Sequence, residues 1–117
     1  MSTADPEPTG IVTDPHANPN DIAIDEFLHT PARLNICSLL APADWVQFSF
    51  LRDTIGTSDS ALSKQVTALE QVGYVEVRKE RAMRRQTTVR LTDTGRAAFN
   101  AYLANLERLV ARARGGQ

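Results

Sequence analysis

Residues 49–73 read SFLRDTIGTSDSALSKQVTALEQVG, and the arrangement of the whole chain follows from this stretch. Its first part has apolar residues at 50, 51 and 55 and then Gly56, a residue favoured just after a helix C-terminus. Ser58 has the side chain of an N-cap, which predicts a second helix from there to about Val72. The inward stripe of this second helix consists of Leu62, Val66 and Leu69. Two short helices that meet at residues 56–58 have the spacing of a helix–turn–helix.

The apolar pattern changes to a period of two after Gly73, which predicts strands. The alternating residues are Tyr74, Val75 and Val77 in one strand and Thr87, Val89 and Leu91 in the other. The polar stretch from Glu80 to Gln86 joins these strands into a β-hairpin with a wide loop. Thr92 then caps a long helix from Asp93 to about Ala113, which would be roughly 30 Å long at 1.5 Å per residue.

Helix signals also precede the helix–turn–helix. Thr30-Pro31 supplies an N-cap and a proline at the first helical position. The helix that follows is expected to bury Leu34, Ile36 or Cys37, and Leu40, and Pro42 stops it. Asn20-Asp21 before the apolar residues of 22–28 predicts another short helix, the first of the chain. Residues 45–48, Trp-Val-Gln-Phe, are brief and β-prone.

Three motifs carry a resemblance to a known family: Leu69-Glu70-Gln71-Val72-Gly73-Tyr74-Val75, the run from Arg84 to Leu91, and Leu91-Thr92-Asp93-Thr94-Gly95-Arg96. Over about residues 24–110 the chain resembles the small winged-helix transcriptional regulators of the MarR/PadR-like kind. The resemblance implies a mainly α fold with a small β-hairpin (α+β), a winged helix–turn–helix with a long C-terminal dimerisation helix. It also implies regulation of nearby genes, often as a repressor. The residues themselves favour a homodimer that binds double-stranded DNA.

The helix that begins after Ser58 is expected to be the recognition helix of such a fold. Short hydroxyls and one long cation suit the major groove, since they hydrogen-bond to base edges and phosphates. The expected DNA-contacting residues on its outer face are Ser58, Ser60, Ala61, Ser63, Lys64 and Thr67. The alternative is an ordinary solvated face.

The loop of the hairpin is the second expected DNA contact. Its arginines suit phosphates or a narrow minor groove. The expected wing contacts are Arg81, Arg84, Arg85 and Gln86. The alternative is a loop that only improves solubility. On the strands, we expect some of Arg78, Lys79 and Arg90 to pair with Glu76 or Glu80.

The long last helix has an apolar face too broad for the edge of one small domain, so part of it is expected to pack on a second copy of the chain. The expected dimer-interface residues are Phe99, Tyr102, Leu103, Leu106, Leu109 and Val110. The alternative is that the first helices of the same protomer cover this face.

Charge is unevenly distributed along the 117 residues. Residues 1–26 hold six acids and no lysine or arginine, which leaves eight acids against all 13 basic residues in the rest. We interpret residues 1–19, which contain four of the six prolines, as a disordered acidic tail, and residues 20–117 as one winged-helix domain. The basic remainder of the chain favours a polyanionic partner. The acidic tail could cover the basic hairpin loop when no DNA is bound.

Enzyme classes are disfavoured because the chain has only two histidines, His16 and His29, and neither a Cys-x-x-Cys motif nor a glycine-rich phosphate loop. No cofactor and no metal are expected. The single Cys37 fits a core position better than a redox sensor, and the default compartment is the cytoplasm. No residue cluster names a small-molecule effector. The competing function is a winged helix that binds proteins and not DNA, suggested by a recognition helix with Lys64 as its single basic residue.

Overall fold

A computed structural model describes residues 22–80 and 86–115 of the chain. The elements in chain order are α1 (Pro31–Leu40), β1 (Val46–Gln47), α2 (Phe48–Ile55), α3 (Asp59–Gln71), β2 (Val75–Glu80), β3 (Gln86–Leu91) and α4 (Asp93–Ala113). The predicted helix–turn–helix, hairpin and long C-terminal helix are therefore confirmed. The expected tail, residues 1–19, lies outside the described residues.

Three hydroxyl side chains start three of the helices, as the sequence predicts. The Thr30 hydroxyl accepts a hydrogen bond from the Arg33 N–H at the start of α1, and the Ser58 hydroxyl accepts one from Ala61 at the start of α3. Thr92 caps α4 in the same way. Such side chains satisfy N–H groups that have no partner within the helix. Gly56 has a φ of 79°, so the turn between α2 and α3 uses a left-handed conformation that glycine adopts without strain.

The sheet is antiparallel, with the strand order β1-β3-β2. Val89 on the central strand lies opposite Val46 on one side and Val77 on the other. The β-prone stretch before the helix–turn–helix thus contributes a third strand to the hairpin, although only two residues long. Phe48, expected at the end of this strand, begins α2 instead.

The core is formed by α1, α2 and α3, Leu28 just before α1, the inner face of the sheet and the first half of α4. Its buried side chains are Leu28, Ile36, Cys37, Leu40, Leu51, Leu62, Val66, Leu69, Val75, Val89, Leu91, Phe99 and Tyr102. The expected stripe of α3 is confirmed in full. In α1, both Ile36 and Cys37 are buried, whereas Leu34 is only half-buried.

The prediction of a short helix over residues 22–28 is wrong. Residues 22–25 are irregular and 26–28 form a turn. The Asp25 carboxylate accepts hydrogen bonds from the N–H groups of Phe27 and Leu28, which gives the backbone an alternative to a helix. Its other oxygen accepts from the Tyr74 hydroxyl at 3.0 Å, so a distant residue holds the segment in this shape.

Candidate nucleic-acid interface

The outer face of α3 is exposed because its opposite stripe is buried in the core. Lys64 is on this face, with Ser60 and Thr67 one turn away on either side, and all three side chains are exposed. Ser63 and Ala61 are exposed at its two edges. The structure thus brings the expected recognition residues onto one helical surface.

Ser58 has a different role from its neighbours on α3. Its hydroxyl oxygen accepts from the Ala61 N–H at 3.1 Å and lies 3.4 Å from the Ser60 hydroxyl. One acceptor lone pair of this oxygen is therefore used to cap the helix, which leaves Ser58 fewer free hydrogen-bonding positions than the exposed hydroxyls further along α3.

A cleft of about 210 Å³ separates α3 from the hairpin. Ser63 and Thr67 line its helix side, and Lys79 and Thr87 line its hairpin side. Phe48, Val66 and Val77 supply its apolar part, and Glu70 also lines it. The cleft brings hydroxyls and a cation from two elements to one surface beside the recognition helix.

A second cleft, also of about 210 Å³, lies at the N-terminal end of α3. Here the Arg52 guanidinium on α2 contacts the Asp59 carboxylate in the first turn of α3 at 2.9 Å, and Asp53 at the same distance. Hydrogen bonds to Asp53 and Asp59 raise the pKa of Arg52 above its already high value. Gln86, the one expected wing residue within the described ranges, begins β3 and lines this cleft.

The hairpin separates its basic residues onto two faces. Arg78 lies with its guanidinium carbon 4.2 Å from the centre of the Trp45 ring and contacts Glu80 at 3.4 Å. Arg90 lies 4.7 Å from the same ring and contacts Glu76 and Asp44. The expected pairing with these glutamates is therefore confirmed for both arginines. Acidic and aromatic partners already occupy these guanidinium groups on the face turned away from α3.

The Lys79 side chain lies on the opposite face of the hairpin from Arg78 and Arg90. It is not among the residues predicted from the sequence to contact DNA. It follows Val75 and Val77 at a period of two, and successive side chains of a strand point to opposite faces, so it points to the α3 side. This alternation was readable in the sequence and would have separated Lys79 from Arg78. Lys64 and Lys79 are the only lysines of the chain, and neither forms an ion pair with any residue in 22–80 or 86–115.

The expected wing arginines Arg81, Arg84 and Arg85 lie outside the described residues. In the chain they stand between the last residue of β2, Glu80, and the first residue of β3, Gln86.

The apolar face of α4 is divided between the core and solvent. Phe99 and Tyr102 are buried within their own protomer, and the Tyr102 hydroxyl lies 2.8 Å from Nδ1 of His29. Leu103 and Val110 are each 39% exposed. Leu106 and Leu109 are half-buried. Of the six residues expected at a dimer interface, the four beyond Tyr102 are thus those with surface that a partner could cover.

Cys37 belongs to the core and is fully buried. Burial, together with the nearby negative charge of Asp25, raises the pKa of its thiol to about 11. The thiolate is the reactive form, so the environment disfavours reaction at neutral pH. In the ranges that the structure describes, no three metal-binding side chains are grouped to hold an ion, and no helix is long and apolar enough to span a bilayer.

Comparisons with known proteins agree with this geometry. A family model described as a winged helix DNA-binding domain matches residues 32–110. The uncharacterized protein MJ0432 of Methanocaldococcus jannaschii is 27% identical over 85 residues, which are 72% of this chain and 92% of that protein. YdgJ of Bacillus subtilis, described as an uncharacterized HTH-type transcriptional regulator, is 32% identical over 79 residues. These residues are 68% of this chain and 48% of YdgJ, so the chain spans about half of that protein. The solved structure of a transcriptional regulator homologue from Pyrococcus horikoshii OT3 matches with a TM-score of 0.72 and 28% identity, covering 74% of this chain and 87% of that one.

Proposed function

The chain belongs to the winged helix DNA-binding domain family of transcriptional regulators, and from this membership we propose that it is a homodimer that recognises specific double-stranded DNA sequences. The resemblance to MarR-like winged-helix regulators is confirmed. In the proposed function, α3 enters the major groove and the hairpin holds the flanking backbone or minor groove. The simplest consequence is repression, in which the bound dimer excludes other proteins from promoter DNA in the cytoplasm.

The position of the two lysines is the observation that carries this proposal. Lys64 is at the centre of the outer face of α3, and Lys79 lies across the cleft on the hairpin. Neither ammonium group has an ion-pair partner in residues 22–80 or 86–115, so both are available to contact the phosphates of a nucleic-acid backbone. Phosphate neutralisation of this kind releases counterions, so binding should weaken as salt increases.

The side chains between the lysines suit the reading of bases. Ser63 and Thr67 present hydroxyls that donate or accept, and the threonine methyl can contact a thymine methyl. The 13 residues of α3 extend about 20 Å, enough to lie along a major groove that is roughly 12 Å wide. Base discrimination is therefore assigned to these hydroxyls and to Lys64, and general affinity to Lys79 and the wing arginines.

The exposed half of the α4 face supports the homodimer. Leu103 and Val110 are seven residues apart and lie on the same side of the helix. Covering this strip with a second α4 would bury apolar surface that is otherwise in water. A twofold dimer would present two recognition helices about one DNA turn apart, roughly 34 Å, and the preferred site would be a pseudo-palindrome.

Fluorescence anisotropy tests the function directly. The full chain is titrated against labelled DNA from upstream of its own gene and against a scrambled duplex of the same composition, over a series of salt concentrations. We expect preferential binding to the first duplex and a steep salt dependence on both. Absence of binding to either duplex at low salt would overturn the proposal and favour a winged helix that binds proteins.

A further inference from the structure

Arg33, in the first turn of α1, contacts two other parts of the domain. Its Nε donates to Oε1 of Gln65 on α3 at 3.0 Å, and its Nη1 donates to the main-chain oxygen of Phe27 at 2.9 Å. The same guanidinium lies 4.1 Å from the centre of the Phe27 ring. One side chain therefore connects the segment before α1 with the middle of the recognition helix.

The segment before α1 is itself fixed to the far end of α3. The Asp25 carboxylate accepts from the Tyr74 hydroxyl, and the Phe27 ring packs edge-on against the Tyr74 ring with centroids 5.9 Å apart. Tyr74 lies three residues after Gln71, the last residue of α3, and its main-chain N–H donates to the carbonyl of Leu69. Asp25, Phe27 and Arg33 therefore contact α3 at its middle, through Gln65, and the chain just beyond its end, through Tyr74.

The Gln65–Arg33 hydrogen bond is a directional contact on α3, a helix that is otherwise held mainly by apolar packing. Past the first turn of this helix, it is the one hydrogen bond between an α3 side chain and another element within the described ranges. The remaining contacts there come from the apolar stripe, and apolar packing has little directional preference. Hydrogen bonds weaken steeply with angle, so this one resists rotation of α3 about its axis.

Rotation of α3 matters because Gln65 is adjacent to Lys64 in the chain. A turn of the helix that breaks the hydrogen bond to Arg33 also changes the direction in which Lys64 and Thr67 point. Hydrogen bonds to base edges require their donors at defined positions, whereas a contact with a phosphate tolerates movement of a flexible ammonium group.

We propose that Arg33 is a positioning residue for DNA recognition, which fixes the rotation of α3 through Gln65 and so sharpens discrimination between DNA sequences without touching DNA. This inference rests on the proposed function, since it concerns how well the same interface discriminates. It predicts a loss of specificity that is separate from a loss of general affinity.

A double-mutant cycle tests the inference. Arg33→Met and Gln65→Met each remove the hydrogen bond. Methionine matches glutamine in length and keeps the aliphatic part of arginine, and Gln65→Met leaves the contact between Arg33 and Phe27 intact. The measured quantity is the discrimination ratio, the dissociation constant for the scrambled duplex divided by that for the preferred duplex at one salt concentration. We expect each variant to lower this ratio by about tenfold, the equivalent of one hydrogen bond of about 1.4 kcal/mol, and the double variant to lower it no further. The Gln65→Glu variant retains the acceptor and should keep the wild-type ratio.

Two further measurements distinguish a positioning role of Arg33 from a general loss of DNA binding. Binding to the scrambled duplex and its salt dependence should stay at wild-type values in all three methionine variants, because their phosphate contacts are unchanged. Wild-type discrimination in Arg33→Met and Gln65→Met, or effects that add in the double variant, would overturn the inference alone. A wild-type chain that binds DNA without discrimination would instead overturn the proposed function, and the inference with it.

Discussion

Gly95 lies directly against the main-chain carbonyl group of Tyr74, so closely that a Cβ atom at position 95 would overlap the carbonyl oxygen. The contact joins the first turn of α4 to a residue that lies between the recognition helix and β2. Thr92 strengthens the same junction, because its N–H donates to the Tyr74 oxygen at 3.0 Å and its hydroxyl donates to the oxygen of Gly73. Arg96 adds a link to the end of α1 by donating to the oxygen of Ala41 at 2.7 Å. The Leu-Thr-x-x-Gly-Arg motif is thus the place where α4 is attached to the DNA-binding unit.

Gly95→Ala should destabilise the fold, although alanine is the better helix former. Helix propensity favours alanine by about 1 kcal/mol. Overpacking typically costs about 1–3 kcal/mol. The upper end is expected here, because the new methyl group would overlap backbone atoms, which cannot move aside as a flexible side chain would. We expect a net loss in the free energy of unfolding, measured by urea denaturation. Asn100→Ala, on the exposed side of the same helix, is the matched control and should be neutral or slightly stabilising. Equal stability of the two variants would contradict the contact.

Local signals in the sequence were sufficient to predict most of the elements. Thr30, Ser58 and Thr92 each act within one turn of the helix they cap, and the strands alternate at a period of two, so neighbouring residues alone determine these features. The segment from 22 to 28 shows where this reasoning fails. The bond from Tyr74 to Asp25 joins residues 49 positions apart, and no local pattern contains it.

The candidate interface divides in the same way. The exposed face of α3 follows from its apolar stripe, and the orientation of Lys79 follows from strand alternation. In contrast, the bond between Arg33 and Gln65 spans 32 positions and depends on how α1 crosses α3. The close approach of Gly95 to Tyr74 also depends on tertiary packing, so the sequence motif could mark the family but could not give the reason for its glycine.

Lys79→Ala should weaken binding to every DNA sequence by a similar factor. The ammonium group contributes to affinity through phosphate charge, so its loss should reduce the slope of log K against log salt by about 0.9. Anisotropy titrations at several salt concentrations measure this slope. Arg108→Ala removes the same charge from α4, away from the cleft, and should leave the slope unchanged. An unaltered slope in Lys79→Ala would remove the hairpin lysine from the interface.

Lys64→Ala and Thr67→Ala should change which sequence is preferred as well as how tightly it is bound. Both side chains lie on the outer face of α3, where a direct contact with a base edge contributes about 1–3 kcal/mol of discrimination. Selection of bound duplexes from a randomised pool, repeated for each variant, gives the preferred sites. Gln71→Ala, at the exposed C-terminal end of α3, serves as the comparison. Identical preferred sites for wild type, Lys64→Ala and Thr67→Ala would argue against base reading by this helix.

The fold should lose stability in alkaline solution. Burial raises the pKa of Cys37 to about 11, and burial with the hydrogen bond to Asp25 raises the pKa of Tyr74 to about 12. Below pH 9 both groups are protonated in the folded and the unfolded chain, so their contribution to stability is fully present. Between pH 9 and pH 12 the unfolded chain releases these protons first, and the free energy of unfolding should fall.

Urea denaturation at steps of half a pH unit measures this decline. Cys37→Ala should remove the part of the decline that begins near pH 9, and Tyr74→Phe the part that begins near pH 10. If both variants kept the wild-type pH dependence, other groups would have to be responsible for it. Alkylation of Cys37 in the folded chain should also stay slow up to pH 9 and become fast once urea unfolds the protein.

Leu103→Glu combined with Val110→Glu should convert the proposed dimer into a monomer. The two side chains are 39% exposed and lie seven residues apart, so two carboxylates there would face two more across a twofold axis. Like charges opposite each other in an apolar seam are unfavourable, whereas the monomer core formed by Phe99 and Tyr102 is untouched. Sedimentation velocity measures the mass, and thermal unfolding shows whether the protomer stays folded.

The same double variant should also change how the chain distinguishes a whole site from half of one. A monomer places a single recognition helix on DNA, so affinity for a pseudo-palindromic site should fall far more than affinity for one half-site. Ala101→Glu combined with Ala104→Glu adds the same charge on exposed positions of α4 outside the apolar strip. This control should leave the mass and the difference between the two affinities unchanged. A folded Leu103→Glu, Val110→Glu variant of dimeric mass would place the contact between protomers on another surface.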